Sequence, residues 1–540
     1  MSMMDVPLNA WLLFGHADRH FGDTEVVTRR GPGDVHRYTY ADFARRAQQL
    51  MHALDRLGVA EGERVATLAW NSYRHLECYF AVPCAGRVLH TLNLRLPAAE
   101  LSWIIEDADD RAILVDADLL PLLEQVPEAS LRRVRHIVVL DEDGPSTVPG
   151  SARPGLISYE ELIGGERESY PPKTVDERAP LGLSYTSGTT GRPKGVVGTH
   201  RSTVLHALAV SSGAGMSIGP QDCVLPVVPM FHANAWGMPH AAVAVGAKQV
   251  LLTGPLDPAV LAQACAEEQV TVTAGVPTVW LAVADELGRH PRPLPALRHV
   301  ICGGAQPPRA LIERYRREFG IDVVQAWGMT ETSPLASVAW PKHAMRDWDA
   351  ERLTDRVRTR AGLPIPGVDV LIRDADGQEV PFDGATMGDL YVRGPWVADG
   401  YWRGAGAEQF DPAGWFRTGD VAVGSPDGYF VIADRSKDLI KSGGEWISSV
   451  DMEAGIMAMP SVAEAAVVAM PDPRWQERPL AFIVVSGAAP VTLEAVRGHL
   501  ESLGWAKWQL PDRVEIIDQI PVTGTGKFDK KLLRARLAAG

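Results

Sequence analysis

The segment YTSGTTGRPKG at 185–195 concentrates groups suited to holding phosphate. Gly188, Gly191 and Gly195 let the backbone bend where a Cβ would block it. Successive amide N–H groups in such a bend form an anion-binding concavity. The hydroxyls of Thr186, Ser187, Thr189 and Thr190 add donors, and Lys194 supplies a positive charge. The order differs from a Walker A loop, in which Ser or Thr follows Gly-Lys directly. Here Pro193 precedes the lysine and Gly195 follows it. Composition alone also suits a flexible surface loop, so the rest of the chain must discriminate.

Such a loop needs a scaffold, and the surrounding pattern predicts layered α/β structure. Short apolar runs at 64–70, 112–115, 136–140, 224–228, 249–252, 270–273 and 300–302 read as strands. They alternate with helical stretches such as 73–85 and 119–125, the signature of mostly parallel sheets. From about Arg360 the texture changes. VDVLIRD, DGQEV and GDLYVRG, separated by Asp-Gly turns, predict a β-rich subdomain over about 360–431. Strand-like runs at 462–469, 480–485 and 514–517 with a helix at 493–503 predict a small α+β domain after a charged join near 434–441.

The 540 residues exceed what one core supports and imply several folding units. A net charge of −14 argues against nucleic acid or an anionic membrane as a general partner. The five cysteines, Cys78, Cys84, Cys223, Cys265 and Cys302, are scattered without a C-x-x-C pair, which supports neither a disulfide framework nor a zinc site. No apolar run reaches the roughly 18 residues of a membrane span. Without a secretory or lipidation signal, the expected compartment is the cytoplasm.

Five further segments follow the loop: VVPMFHANAW at 227–236, CGGAQPP at 302–308 with QAWGMTETSP at 325–334, WFRTGD at 415–420, DRSKDLIKSGGEWIS at 434–448, and PVTGTGKFDKK at 521–531. Together, in this order, they resemble the adenylate-forming superfamily, which includes acyl-CoA synthetases, and within it most resemble bacterial medium- and long-chain fatty acyl-CoA synthetases. The resemblance implies an N-terminal AMP-binding domain over 1–434 and a small mobile C-terminal domain over 435–540, with a hinge near Lys437. It also implies a two-step reaction using ATP, Mg²⁺ and CoA. A carboxylate attacks the α-phosphate of ATP and expels pyrophosphate; a thiol then displaces AMP from the acyl-adenylate.

Residue roles follow from the same resemblance. Lys527 would meet the α-phosphate; Lys530 and Lys531 read as ordinary solvated lysines. Thr186 and Glu331 would hold Mg²⁺, leaving positions for phosphate oxygens and water as that ion prefers. Thr330 would contact phosphate, although Thr-Glu-Thr-Ser also suits helix capping. Asp420 would accept from the ribose hydroxyls, assisted by Arg435. Gly304, Gln325 and Ala326 would line the adenine and acyl pocket. Rotation at Lys437 would exchange Lys527 for a CoA-facing surface that includes Lys441, Gly443 and Gly444.

His232 and Trp236 would contact the acyl site, with Trp236 as a gate and Trp446 near the nucleotide. Their alternative is core packing, which indoles do well. The apolar flank of Met230, Phe231, Ala233, Ala235 and Met238 favours an aliphatic acid over an amino acid. Ligases of short sulfur-containing acids such as methylmercaptopropionate share this segment, so that alternative stays open, as does loading of a carrier protein. The resemblance further implies a homodimer, and a lysine acetyltransferase acting on Lys527 as a possible regulatory partner.

Overall fold

The computed structural model describes residues 3–31, 33–140, 155–186, 192–435, 438–442, 445–487, 490–522 and 528–539. The large N-terminal part is built on two mostly parallel sheets. One has seven strands in the order Leu156–Ser158, His136–Leu140, Asp110–Asp116, Arg64–Leu68, Val88–Thr91, Pro180–Thr186 and Lys194–Thr199. All neighbours run parallel except the last pair. That antiparallel pair flanks the phosphate-type loop. Ile113, Leu114 and Val115 are fully buried, as expected of strands covered on both faces.

The other sheet has nine strands. Its parallel centre runs Asp322–Gly328, His299–Cys302, Val272–Gly275, Cys223–Pro226, Lys248–Leu252 and Glu25–Gly31. From Cys223–Pro226 the chain adds Lys248–Leu252 on one side and then Val272–Gly275 on the other. This reversal creates a crevice at the carboxyl ends of the strands, the usual ligand position in open α/β sheets.

Helices Ala10–His20, Tyr40–Arg56 and Tyr73–Cys84 pack together. Thr39 and Asp42 form a reciprocal capping box that starts the second of these. Every residue of Tyr73–Cys84 is buried, and its charged positions are paired, Arg74 with Glu160 and Glu77 with Arg46. Phe43 stands edge-on to both Phe14 and Phe80, with ring centroids 5.6 Å apart in each pair.

The β-rich region is a four-stranded antiparallel sheet of Asp369–Arg373, Met387–Arg393, Phe416–Gly424 and Phe430–Arg435. DGQEV departs from the strand expectation. Asp374 accepts the amide N–H groups of Asp376 and Gln378, closing a turn that leaves one isolated bridge between Arg373 and Glu379. The smaller C-terminal part is α+β: a five-stranded sheet centred on Val462–Asp472 and Gln476–Val485, with helices Ser449–Met457, Leu493–Ser502 and Lys530–Ala539.

Candidate active site

Three motif segments leave carboxyl ends of parallel strands in the nine-stranded sheet. VVPMFHANAW follows Cys223–Pro226, CGGAQPP begins at the end of His299–Cys302, and the TETSP turn follows Asp322–Gly328. Gln325 pairs in register with Cys302, and Ala326 with Val338. Gln325 is 4% exposed, and its Oε1 has no hydrogen-bond partner among the described residues. Gly304 turns the chain at φ +78°.

Trp236 lies in the buried cluster that includes Ala326 and Leu335. A Cβ on Gly303 would stand 3.0 Å from the Trp236 ring and 2.8 Å from the Ala326 carbonyl, so only glycine admits the indole this closely. Trp236 lies in a left-handed stretch that runs on to Gly237: Ala233, Asn234, Ala235 and Trp236 all have φ between 44° and 56°. Each such non-glycine residue costs roughly 1–2 kcal/mol. Side chains from the neighbouring layer hold the segment. Asn71 donates to the carbonyls of Pro226 and Val228, each at 3.1 Å, and accepts from Met230 N at 2.6 Å. Tyr79 donates to the Met230 carbonyl, and Thr91 to that of Phe231. His232 is half-buried immediately before the left-handed turn. Asn71→Ala should destabilise the protein by about 2–3 kcal/mol, from several lost hydrogen bonds. Thermal melts would measure this.

Glu331 sits in the short 3₁₀ turn Thr330–Thr332, against the strand that ends at Thr186. It does not cap a helix. Its side chain is buried, with Tyr401 Oη donating to Oε1 at 2.6 Å, while Oε2 lacks a hydrogen-bond partner among the described residues. Burial pushes the carboxyl above its usual range, and the Tyr401 hydroxyl and Arg435 charge partly offset this. A buried carboxylate oxygen without a partner is costly unless a cation meets it, so the donor set fits a divalent metal. Thr330 and Ser184 line one small cavity between these elements.

Tyr401 also meets Lys194, whose Nζ lies 4.8 Å from the phenol ring centroid and donates to Gln409 Oε1 at 3.0 Å. A Cβ on Gly195 would come within 2.9 Å of Trp402 Cβ, so glycine is required for that approach. Trp402 Nε1 and Tyr185 Oη both donate to Asp107, to its carbonyl and its carboxylate. Residues 401–409 therefore tie the loop-flanking strands to Glu331.

Asp420 and Arg435 are register partners on adjacent strands, and Arg435 Nε lies 2.7 Å from Asp420 Oδ1. Trp327 Nε1 donates to Asp420 Oδ2 at 3.0 Å. The carboxylate is 2% exposed yet doubly anchored, giving a fixed acceptor for hydroxyl groups.

In the C-terminal sheet, Lys441 pairs in register with Trp446, its Nζ 5.5 Å from the indole, and Trp446 is 45% exposed. Ser187, Gly188, Thr189, Thr190, Lys437, Gly443, Gly444 and Lys527 lie outside the described residues. Lys530 contradicts its reading as a solvated lysine: its side chain is 11% exposed and lies 2.7 Å from Glu453. Ser449 and Glu453, distant in sequence, create that environment. Tyr401, Asn71 and Gln409 were also missed. The adjacent aromatics of GYW at 400–402 are the one local sequence signal near any of them.

The chain matches the AMP-binding enzyme family over residues 14–402 and the AMP-binding enzyme C-terminal domain over residues 451–527. It is 49% identical over 536 residues to a long-chain-fatty-acid–CoA ligase of Thermus thermophilus, covering 99% of this chain and 96% of that protein. It is 41% identical over 536 residues to a 3-methylmercaptopropionyl-CoA ligase of Ruegeria lacuscaerulensis, covering 98% of each. Among solved structures, an anthranilate CoA ligase in complex with anthranoyl-AMP superposes with a TM-score of 0.88 at 25% identity, covering 100% of this chain and 99% of that one. The chain belongs to the AMP-binding enzyme family.

Proposed function

We propose that the chain is an AMP-forming fatty-acid–CoA ligase. The acid's carboxylate oxygen attacks the α-phosphorus of ATP, and pyrophosphate leaves. The CoA sulfur then attacks the acyl carbon, and AMP leaves with the bond electrons. The observation that carries the chemistry is the unpaired, buried Glu331 Oε2 beside the strand carrying Thr186.

Thr186 and Glu331 would hold Mg²⁺, which when bound neutralises phosphate charge. Lys194 and the hydroxyls of Thr186, Ser187, Thr189 and Thr190 hold the departing phosphates. Thr330 donates to phosphate, and Asp420 with Arg435 fixes the ribose. Gln325, Ala326 and Gly304 form the adenine wall. Lys527, on a domain spanning 435–540, covers the α-phosphate during the first step. Rotation at Lys437 then presents Lys441, Gly443, Gly444 and Trp446 to CoA.

Trp236 closes the acyl side, with His232 at its mouth. The buried Met230, Phe231, Ala233, Ala235 and Met238 flanking it in sequence favour an aliphatic acid over an amino acid, and the 49% identity to a long-chain-fatty-acid–CoA ligase favours a medium- or long-chain one. The 41% identity to a 3-methylmercaptopropionyl-CoA ligase favours a second reading, a short thioether acid. A panel from acetate to stearate with methylmercaptopropionate and aryl acids, scored by AMP release with CoA present, separates them. The proposal expects the highest kcat/KM with medium- and long-chain acids; a maximum at methylmercaptopropionate would select the second reading.

A further inference from the structure

Outside the substrate site, Lys530 is a largely buried lysine with two polar partners among the described residues. Its Nζ lies 2.7 Å from Glu453 Oε1 and donates to Ser449 Oγ at 2.5 Å. Ser449 in turn donates through Oγ and backbone N to Asp434 Oδ2, at 2.5 and 2.7 Å. Ser448 Oγ donates to the Ala433 carbonyl. Asp434 belongs to the strand Phe430–Arg435 of the β-rich sheet, whereas Ser449 and Glu453 open the first helix of the smaller part. One helical turn beyond Lys530, Arg534 Nη1 pairs with Asp438 Oδ1 at 2.6 Å.

The terminal helix thus carries two cations, at i and i+4 on one face: Lys530 pairs with Glu453 and reaches Asp434, before 436–437, through Ser449, while Arg534 pairs with Asp438 beyond it. Burial alone would lower the Lys530 pKa, but Glu453 and Asp434 outweigh it and keep the ammonium charged. The start of that helix is fixed as well. Asp529 N donates to the Pro521 carbonyl at 2.7 Å, Val522 bridges Phe528, and Leu533 is buried beside Ile517 and Ile520.

We infer that Lys530 is a positioning residue: it braces the base of the 523–527 connection against both sides of the interdomain join and so sets where Lys527 is delivered. Lys527 stands three positions before Lys530, a reach of at most about 11 Å, so a shift at Lys530 carries to Lys527. A buried ion pair is weak evidence for stability, and setting registry is its better-attested use. This inference rests on the role proposed for Lys527.

The test compares Lys530→Met, Lys530→Arg and Lys527→Ala in the full-length enzyme. Adenylation is read by ATP–pyrophosphate exchange, and thioester formation by acyl-CoA production from supplied acyl-adenylate. Lys530→Met should lower the adenylation kcat about tenfold to a hundredfold, the scale on which a small misplacement acts. The ATP KM and thioester formation should change little. Lys530→Arg, which keeps the charge, should recover most of the loss. If Lys530→Met fails to fold, Glu453→Gln carries the same expectation. Equal loss of both half-reactions, or loss of neither, overturns the brace. If Lys527→Ala splits the half-reactions and Lys530→Met does not, only the brace falls. Adenylation that survives Lys527→Ala overturns both assignments.

Discussion

Lys527→Ala is expected to lower acyl-adenylate formation by roughly 10²–10³-fold, the range for removing one preorganised charge stabiliser. Acyl-CoA formation from supplied acyl-adenylate should remain within about threefold, because the rotation proposed at Lys437 carries Lys527 away from the α-phosphate before the thiol attacks. The first step brings a carboxylate against a polyphosphate. A unit charge pair near 4 Å is worth about 4 kcal/mol at an effective dielectric of 20, so one ammonium at the reacting phosphorus lowers that barrier while it is held there. Quenched-flow assay of each half-reaction distinguishes this from a general loss of folding, which would depress both.

Glu331→Gln carries the second large effect. The substitution keeps the side-chain shape and an oxygen to accept from Tyr401, but removes the charge left unpaired on Oε2. Adenylation should fall by about a hundredfold or more. Calorimetric titration should show weaker binding of Mg·ATP while metal-free ATP binding is unchanged. The same change should raise the melting temperature of the ligand-free protein, because burial already disfavours the Glu331 carboxylate. A functional group held at a cost to stability has that double signature. A variant less stable and fully active would show that the carboxylate serves packing instead.

Much of the scaffold was legible because its signal is local. Runs such as HIVVL at 136–140 become strands because β-branched residues covered on both faces need no alternation. Asp420 and Arg435 were legible as chemistry, but their pairing is a product of sheet register. The left-handed turn before Trp236 was not legible. Alanine carries no preference for positive φ, and the chain leading into the turn is anchored by Asn71, Tyr79 and Thr91 from other elements. DGQEV failed as a strand because its Asp-Gly turn signal extends through Gln378, whose amide bonds back to Asp374. Lys530 failed for the opposite reason. A lysine in a basic C-terminal tract looks solvated until Glu453 and Ser449 are folded against it.

The most direct measurement is product analysis with a medium- or long-chain fatty acid, ATP and magnesium, first without CoA and then with it. Without CoA, the enzyme should accumulate acyl-adenylate and pyrophosphate in equal amounts, up to the enzyme concentration. Adding CoA should convert the adenylate to acyl-CoA and release AMP. Formation of ADP and inorganic phosphate, or of acyl-CoA without a prior adenylate, would contradict the account.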